Sequence, residues 1–152
     1  MGNKLKNDNY YNMVLKREEE LSTDPNTKVG CILVNNDGKI ISRGHNHMPL
    51  DLQELPWSND KNRKWIDTKY PYVIHAELDA VLNYDYKDIP LFAYVSLYPC
   101  VNCVKTLAAF GIRQIIYREK RYIDSDEIIA ADKLISILEA NGEMTCRKMK
   151  LL

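Results

Sequence analysis

The chain lacks any run of eighteen apolar residues, and its first twenty, Met1 to Glu20, are polar and close on three glutamates. The first absence leaves no candidate membrane helix, and the second leaves no secretory leader, so a cytoplasmic address is expected. An excess of either charge is missing too: Lys and Arg number 21, as do Asp and Glu. A general polynucleotide binder carries a basic surplus, so a large nucleic acid is not the expected partner. No internal repeat or low-complexity tract appears. Cysteine is scarce, with four in 152 residues, and in a reducing compartment these do not read as a disulfide framework. What remains is one globular domain over residues 1–152, apolar enough for a real core.

What is there reads as alternating elements. Asn9 to Leu21 carries Tyr10, Met13, Val14 and Leu21 as a broken helical stripe, ended by loop chemistry at Ser22 to Asn26. Val29–Asn35 and Lys39–Arg43 flank the turn Asn36-Asp-Gly38, which predicts a hairpin. From His47 to Tyr72 the pattern is lost among prolines and aromatics, and a loop this long is often functional. His75–Tyr84 reads as a helix with Leu78, Val81 and Leu82 on one face. A strand follows at Leu91–Leu97, then a helix at Cys100–Phe110 with Gly111 in the stop position. A strand at Arg113–Tyr117, a helix at Ser125–Ala140 and a strand at Glu143–Met149 complete the chain. A hairpin and then alternating elements predict a three-layer α/β/α domain with a five-stranded mixed sheet. The helix before the last strand is long enough for the final two strands to run parallel.

Two short motifs carry chemistry: His75-Ala-Glu77 and Pro99-Cys100-Val-Asn-Cys103. The first is weak alone, the second is far rarer by chance, and both sit where a helix begins. Cys100 and Cys103, three apart, share one face of a first helical turn and can grip one ion. His75 and Glu77, two apart, converge only if His75 stands at the helix entry, outside regular geometry. Helix N-termini also favour thiolates. One His and two Cys are one ligand short of a closed structural zinc site, which is the pattern of a catalytic zinc that keeps a position for water. Zinc lowers that water's pKa, and Glu77 then fits as a proton shuttle. Other readings stay open on these residues alone. Cys100 and Cys103 also suit a redox dithiol, and Cys31, Cys146 or His45 could supply a fourth structural ligand. His45 and His47 could hold a second metal, and Arg118-Glu-Lys-Arg121 could meet a phosphate.

The paired motifs resemble those of the zinc-dependent cytidine and deoxycytidylate deaminases. The resemblance runs over nearly the whole chain and is nearest to the deoxycytidylate branch. Asp24 to Gly30 resembles that branch's segment before the first strand. Gly44-His-Asn-His-Met-Pro49 resembles its G-Y-N-G-x-P motif, Asp67 to Glu77 its approach to the zinc motif, and Tyr122 to Glu127 its late loop. The resemblance implies a cytidine-deaminase-like fold, one zinc held by His75, Cys100 and Cys103, and Glu77 as the catalytic acid and base. The implied reaction is hydrolysis of dCMP to dUMP and ammonia, feeding dTTP synthesis. It further implies substrate contacts from Asn46, Tyr122 and backbone N–H groups near Ala76 and Cys100, and a phosphate contact near Thr27 and Lys28.

The same resemblance implies a homo-hexamer activated by dCTP and inhibited by dTTP, with Mg2+ accompanying a nucleotide effector. The effector site is expected around His45, His47 and Met48 and along the loop to Tyr72. The chain departs from the branch's pattern at His45, where Tyr is usual, at His47, where Gly is usual, and at Asp79, where Asn is common. A histidine in place of glycine obstructs close backbone approach of a nucleotide, and a carboxylate at Asp79 disfavours a nearby phosphate. Alternative substrates are dCTP and deoxycytidine, and an alternative role is a non-catalytic, zinc-stabilised nucleotide-binding module.

Overall fold

The computed structural model describes residues 5–152. A helix, α1 (Asp8–Glu19), leads into a hairpin of β1 (Gly30–Asn35) and β2 (Ile40–His45). A long connection with short 3-10 turns at Pro49–Asp51 and Trp65–Asp67 reaches α2 (Ala76–Leu82). Then come β3 (Pro90–Leu97), α3 (Val101–Phe110), β4 (Gln114–Glu119), α4 (Asp126–Ala140) and β5 (Thr145–Lys148). None of these helices is long and apolar enough to cross a membrane.

The sheet order is β2-β1-β3-β4-β5. β1 pairs antiparallel with both neighbours, and β3, β4 and β5 are parallel. The mixed five-stranded sheet and its parallel final pair are therefore as the sequence predicts. Every residue of β1 is buried, as expected for a central strand covered on both faces. Its alternate side chains divide the core. Ile32 and Val34 join Tyr94 and Ile116 beneath α1, with Tyr11, Val14 and Leu15. Cys31 and Leu33 join Ala93, Val95 and Ile115 on the other face, beneath Ala76 and Ala80 of α2 and Leu107 of α3. α4 closes the same face, where Ile128, Ala131 and Ile135 meet Val104 and Tyr98.

Two helical faces differ from the sequence reading. In α1 the buried apolar residues are Tyr11, Val14 and Leu15, whereas Tyr10 and Met13 are exposed, as is Leu21 beyond its end. The tandem tyrosines allow two phases, and Tyr11 wins because its hydroxyl donates to Gly38 O at 2.7 Å, tying the helix to the hairpin turn. In α2 the expected face of Leu78, Val81 and Leu82 splits: Leu78 and Leu82 are exposed, Val81 packs against the core, and the sheet is met by Ala76 and Ala80. Gly44 of β2 is the cause. A Cβ there would lie 2.3 Å from Ala80 N and 2.4 Å from Ala76 O, so strand and helix approach too closely for larger side chains.

Helix ends follow local chemistry. Asn7 and Ser125 cap α1 and α4 by accepting from Tyr10 N and Ile128 N. Gly111 ends α3 in a left-handed conformation, φ 110°.

Candidate metal centre and cavity

His75 is the N-cap of α2, with extended backbone angles (φ −70°, ψ 153°), and Cys100 is the N-cap of α3. Both caps therefore stand outside helical geometry, which is how His75 and Glu77, two apart in sequence, serve one site. α2 and α3 pack side by side on one face of the sheet and bring the caps together. His75 Nδ1 lies 3.2 Å from Cys103 Sγ and 3.6 Å from Cys100 Sγ. Zinc bonds of roughly 2.0–2.3 Å at tetrahedral angles separate such ligand atoms by about 3.5–3.8 Å, so the cluster fits the ion with little movement. All three ligand atoms lie within 4.8 Å of one another, and they form the sole such His/Cys/Asp/Glu group among the described residues. Thiolate and imidazole donors select zinc over Mg2+, for which no oxygen-donor group of this kind is present among those residues.

The cluster is poised to ionise. Hydrogen bonding from Cys103 pulls the Cys100 thiol down to about 4 against the effect of burial, and His75 adds to the fall. The shared proton then stays with Cys103, whose thiol is pushed up. The Cys100 hydrogen bond raises His75. Glu77, 4% exposed, has its carboxyl raised chiefly by burial, so a proton is held more readily there than on an ordinary glutamate. Cys31 is fully buried with its thiol pushed up, again by burial, and Cys146 is half-buried. Neither belongs to the candidate ligand group, and neither does His45, so that group consists of His75, Cys100 and Cys103 alone among the described residues.

A cavity of about 640 Å³ opens above the cluster, lined at its floor by His75, Ala76, Glu77 and Cys100. Residues 5–119 match the family model for the cytidine and deoxycytidylate deaminase zinc-binding region. The chain belongs to this family.

Among curated deaminases, the human "Deoxycytidylate deaminase" is 40% identical over 131 residues, spanning 84% of this chain and 73% of the relative. The mouse protein of the same name is 38% identical over the same spans. Among solved structures, dCMP deaminase from the cyanophage S-TIM5, in complex with dCMP and dUMP, shares the fold. Its TM-score is 0.64 at 24% identity, with 93% of this chain and 95% of that chain covered.

Within this deaminase domain the sequence-predicted residues separate into two places. Thr27, Asn46, Ala76 and Tyr122 line the cavity, but Lys28 does not and is exposed. Asn46 is also a brace. Its Oδ1 accepts from Val29 N at 2.8 Å, and its Nδ2 donates to Thr27 O at 2.9 Å and Asp24 Oδ2 at 3.3 Å, fixing the 24–29 segment. Tyr122 holds a left-handed φ of 58° at the turn before α4. His45, His47 and Met48 lie outside the cavity lining. Met48 is buried, His45 Nδ1 is 2.7 Å from Glu18 Oε2, and His47 Nε2 is 2.7 Å from Asp79 Oδ1. His45 Nδ1 and both His47 ring nitrogens thus have partners within the chain, and neither histidine belongs to a group of three ligands among the described residues.

The long loop contributes directly to the cavity. Its second half, from Asn59 to Val73, is a wall of the main cavity. It brings in Lys61, Arg63, Trp65 and Lys69, which the sequence reading passed over although the basic run Lys61-Asn-Arg-Lys64 was visible. Conversely, the basic stretch at the end of β4 is spent on structure. Arg118 pairs with Glu19 at 2.8 Å, Lys120 with Asp132 at 2.9 Å, and Arg121 with Glu119 at 2.8 Å.

Proposed function

We propose that this chain deaminates dCMP hydrolytically, giving dUMP and ammonia, as one catalytic domain with one zinc. The observation that carries the reading is the convergence of His75, Cys100 and Cys103 beside a buried Glu77 at the floor of a nucleotide-sized cavity. We assign His75, Cys100 and Cys103 as the ligands. When bound there, zinc supplies the Lewis acidity that makes a water nucleophilic near neutral pH. Glu77 would take a proton from the attacking water and deliver it to N3 as the water oxygen bonds to C4; it would then take the proton of the new C4 hydroxyl and pass it to the amino group, so that the C4–N bond breaks and ammonia leaves. Its raised carboxyl pKa suits a group that both accepts and donates. Ala76 opens α2, and its backbone N–H, one of the first-turn donors without an intrahelical partner, is assigned to the pyrimidine carbonyl. Asn46, Thr27 and Tyr122 are assigned to the sugar side of the cavity.

The effector contacts that the resemblance implies at His45, His47 and Met48 would lie apart from the cavity, and there His45 Nδ1 and both His47 ring nitrogens already have partners within the chain. The test is ammonia release from dCMP, deoxycytidine and dCTP by the zinc-loaded protein. The reading expects dCMP to be the best substrate. Equal rates on all three would refute monophosphate preference, and no release from any would refute the deaminase.

A further inference from the structure

We propose that Lys61 and Arg63 form the subsite that reads the substrate's phosphate; this rests on the deaminase reading above and names the residues behind its monophosphate preference. The cavity is lined by three cationic side chains, Lys61, Arg63 and Lys69, all from one stretch of the long loop. Lys69 is not free. Its Nζ lies 2.6 Å from Asp24 Oδ2, with side-chain exposures of 12% and 0%, so it neutralises a buried carboxylate. Lys61 has no ion-pair or hydrogen-bond partner for its ammonium among the described residues. Arg63 has only a loose contact, Nε at 4.0 Å from Asp60 Oδ2, which leaves its guanidinium fork open. The remaining acids of the lining are Glu77, at the floor, and Glu127, in the first turn of α4.

The two free cations are held in place by the loop itself. Asp60 Oδ1 accepts from Asn62 N at 2.9 Å, and Asp60 O accepts from Arg63 N at 3.1 Å, making a tight turn over residues 60–63. Ser58 ties that turn down, accepting from Asp60 N at 3.2 Å through Oγ and from Lys69 N at 2.9 Å through its carbonyl. Lys69 is in turn pinned by Asp24, so the turn hangs from a buried ion pair.

The chemistry of the substrate fixes the rest. Its base must reach Glu77, which is buried, whereas Lys61 and Arg63 are exposed lining residues, so the far end of the nucleotide is assigned to their side of the cavity. A chain with no net charge cannot draw a dianion by its overall field, so local cations must supply the attraction. An arginine fork beside a lysine ammonium is suited to phosphate oxygens. Asp60 is the group the phosphate competes with: it shapes the turn and also partly neutralises Arg63.

The experiment measures kcat and KM on dCMP and deoxycytidine for the zinc-loaded wild type, Lys61→Ala/Arg63→Ala, and Asp60→Asn. The double variant is expected to lose about a hundredfold in kcat/KM on dCMP, carried by KM, since each charged hydrogen bond is worth roughly tenfold or more. Its zinc content should stay at the wild-type value, and its turnover of deoxycytidine should change less than about twofold. Asp60→Asn keeps the turn's acceptor and removes the competing charge, so KM for dCMP should fall about threefold with kcat unchanged. Equal losses on both substrates, no loss on dCMP, or a KM that rises in Asp60→Asn would overturn the subsite while leaving the deaminase reading in place. A wild type that releases ammonia from neither substrate would overturn the reading beneath it.

Discussion

His47 Nε2 lies 2.7 Å from Asp79 Oδ1, joining the segment just after β2 to the helix that carries Glu77. The other Asp79 oxygen accepts from His45 N at 3.0 Å, and His45 reaches Glu18 of α1. The three positions that depart from the family pattern are therefore one bridge running from α1 through β2 to α2. A histidine replaces the space of a glycine, and the carboxylate it needs is supplied by the residue that replaces an asparagine. Burial opposes the charged His47 ring, but the Asp79 hydrogen bond, the Met48 carbonyl and the charges of Asp79 and Asp51 together hold its pKa above the ordinary value.

The bridge makes stability depend on pH with a definite sign. A raised folded-state pKa contributes stability that is complete below about 6.5 and is lost as pH climbs through the folded value. Asp79→Asn keeps an acceptor for His45 N and removes the charge facing His47. It should cost about 2 kcal/mol at pH 6, with the gap to wild type narrowing by pH 9. Urea unfolding of both proteins at the two pH values checks this, and a gap that stays constant would rule out the charged pair.

Glu77→Gln keeps the shape of the cavity floor and removes the titrating group. Turnover of dCMP should drop by about a thousandfold or more, with zinc content unchanged by metal analysis, because general acid–base catalysis contributes factors of this order. Full turnover in a zinc-loaded Glu77→Gln protein would show that the proton moves by another route.

Removing the metal should unmask one thiol and not its neighbour. In the zinc-free protein Cys100, pulled down to about 4, is a thiolate throughout the range above that value, while Cys103 stays protonated. Iodoacetamide at pH 6 should therefore label Cys100 first after chelation and neither cysteine in the zinc-loaded protein. Peptide mass mapping decides this, and equal labelling of both cysteines would contradict the asymmetry.

Gly44→Ala should destabilise the protein by about 3 kcal/mol or more, since the new Cβ would press on the α2 backbone at Ala76 and Ala80 and not on a movable side chain. Because Ala76 directly follows His75, the same change should weaken zinc retention, measurable by competition with a chromophoric chelator. Wild-type stability and zinc affinity in Gly44→Ala would mean that strand and helix can part without cost.

Much of this was legible before any tertiary information. The hairpin was legible from Asn36-Asp-Gly38, α3 from Pro99 and Gly111, and the ligand cluster from the spacing of Cys100 and Cys103 with His75 at a helix start. Where the reading slipped, the deciding force was non-local. Leu78 and Leu82 look like a core face until Gly44 brings β2 against α2, and then only alanines fit. Tyr10 and Tyr11 are equivalent on the page, and a hydroxyl contact with Gly38, 27 residues away, selects one of them.

The sequence by itself determined the order of elements and which groups meet at the floor: three candidate ligands and one carboxyl, each set by short spacings at helix starts. Such features are written in neighbouring residues because a helical turn brings them together without outside help. Only the tertiary structure decided what surrounds that floor. The ion pair of Lys69 with Asp24 spans 45 positions, the pair of His47 with Asp79 spans 32, and each makes sense only once burial has removed the water that would otherwise satisfy those charges. Lys61 and Arg63 carry no signal of a site in one dimension. In three, that buried pair anchors the turn that presents them to the cavity.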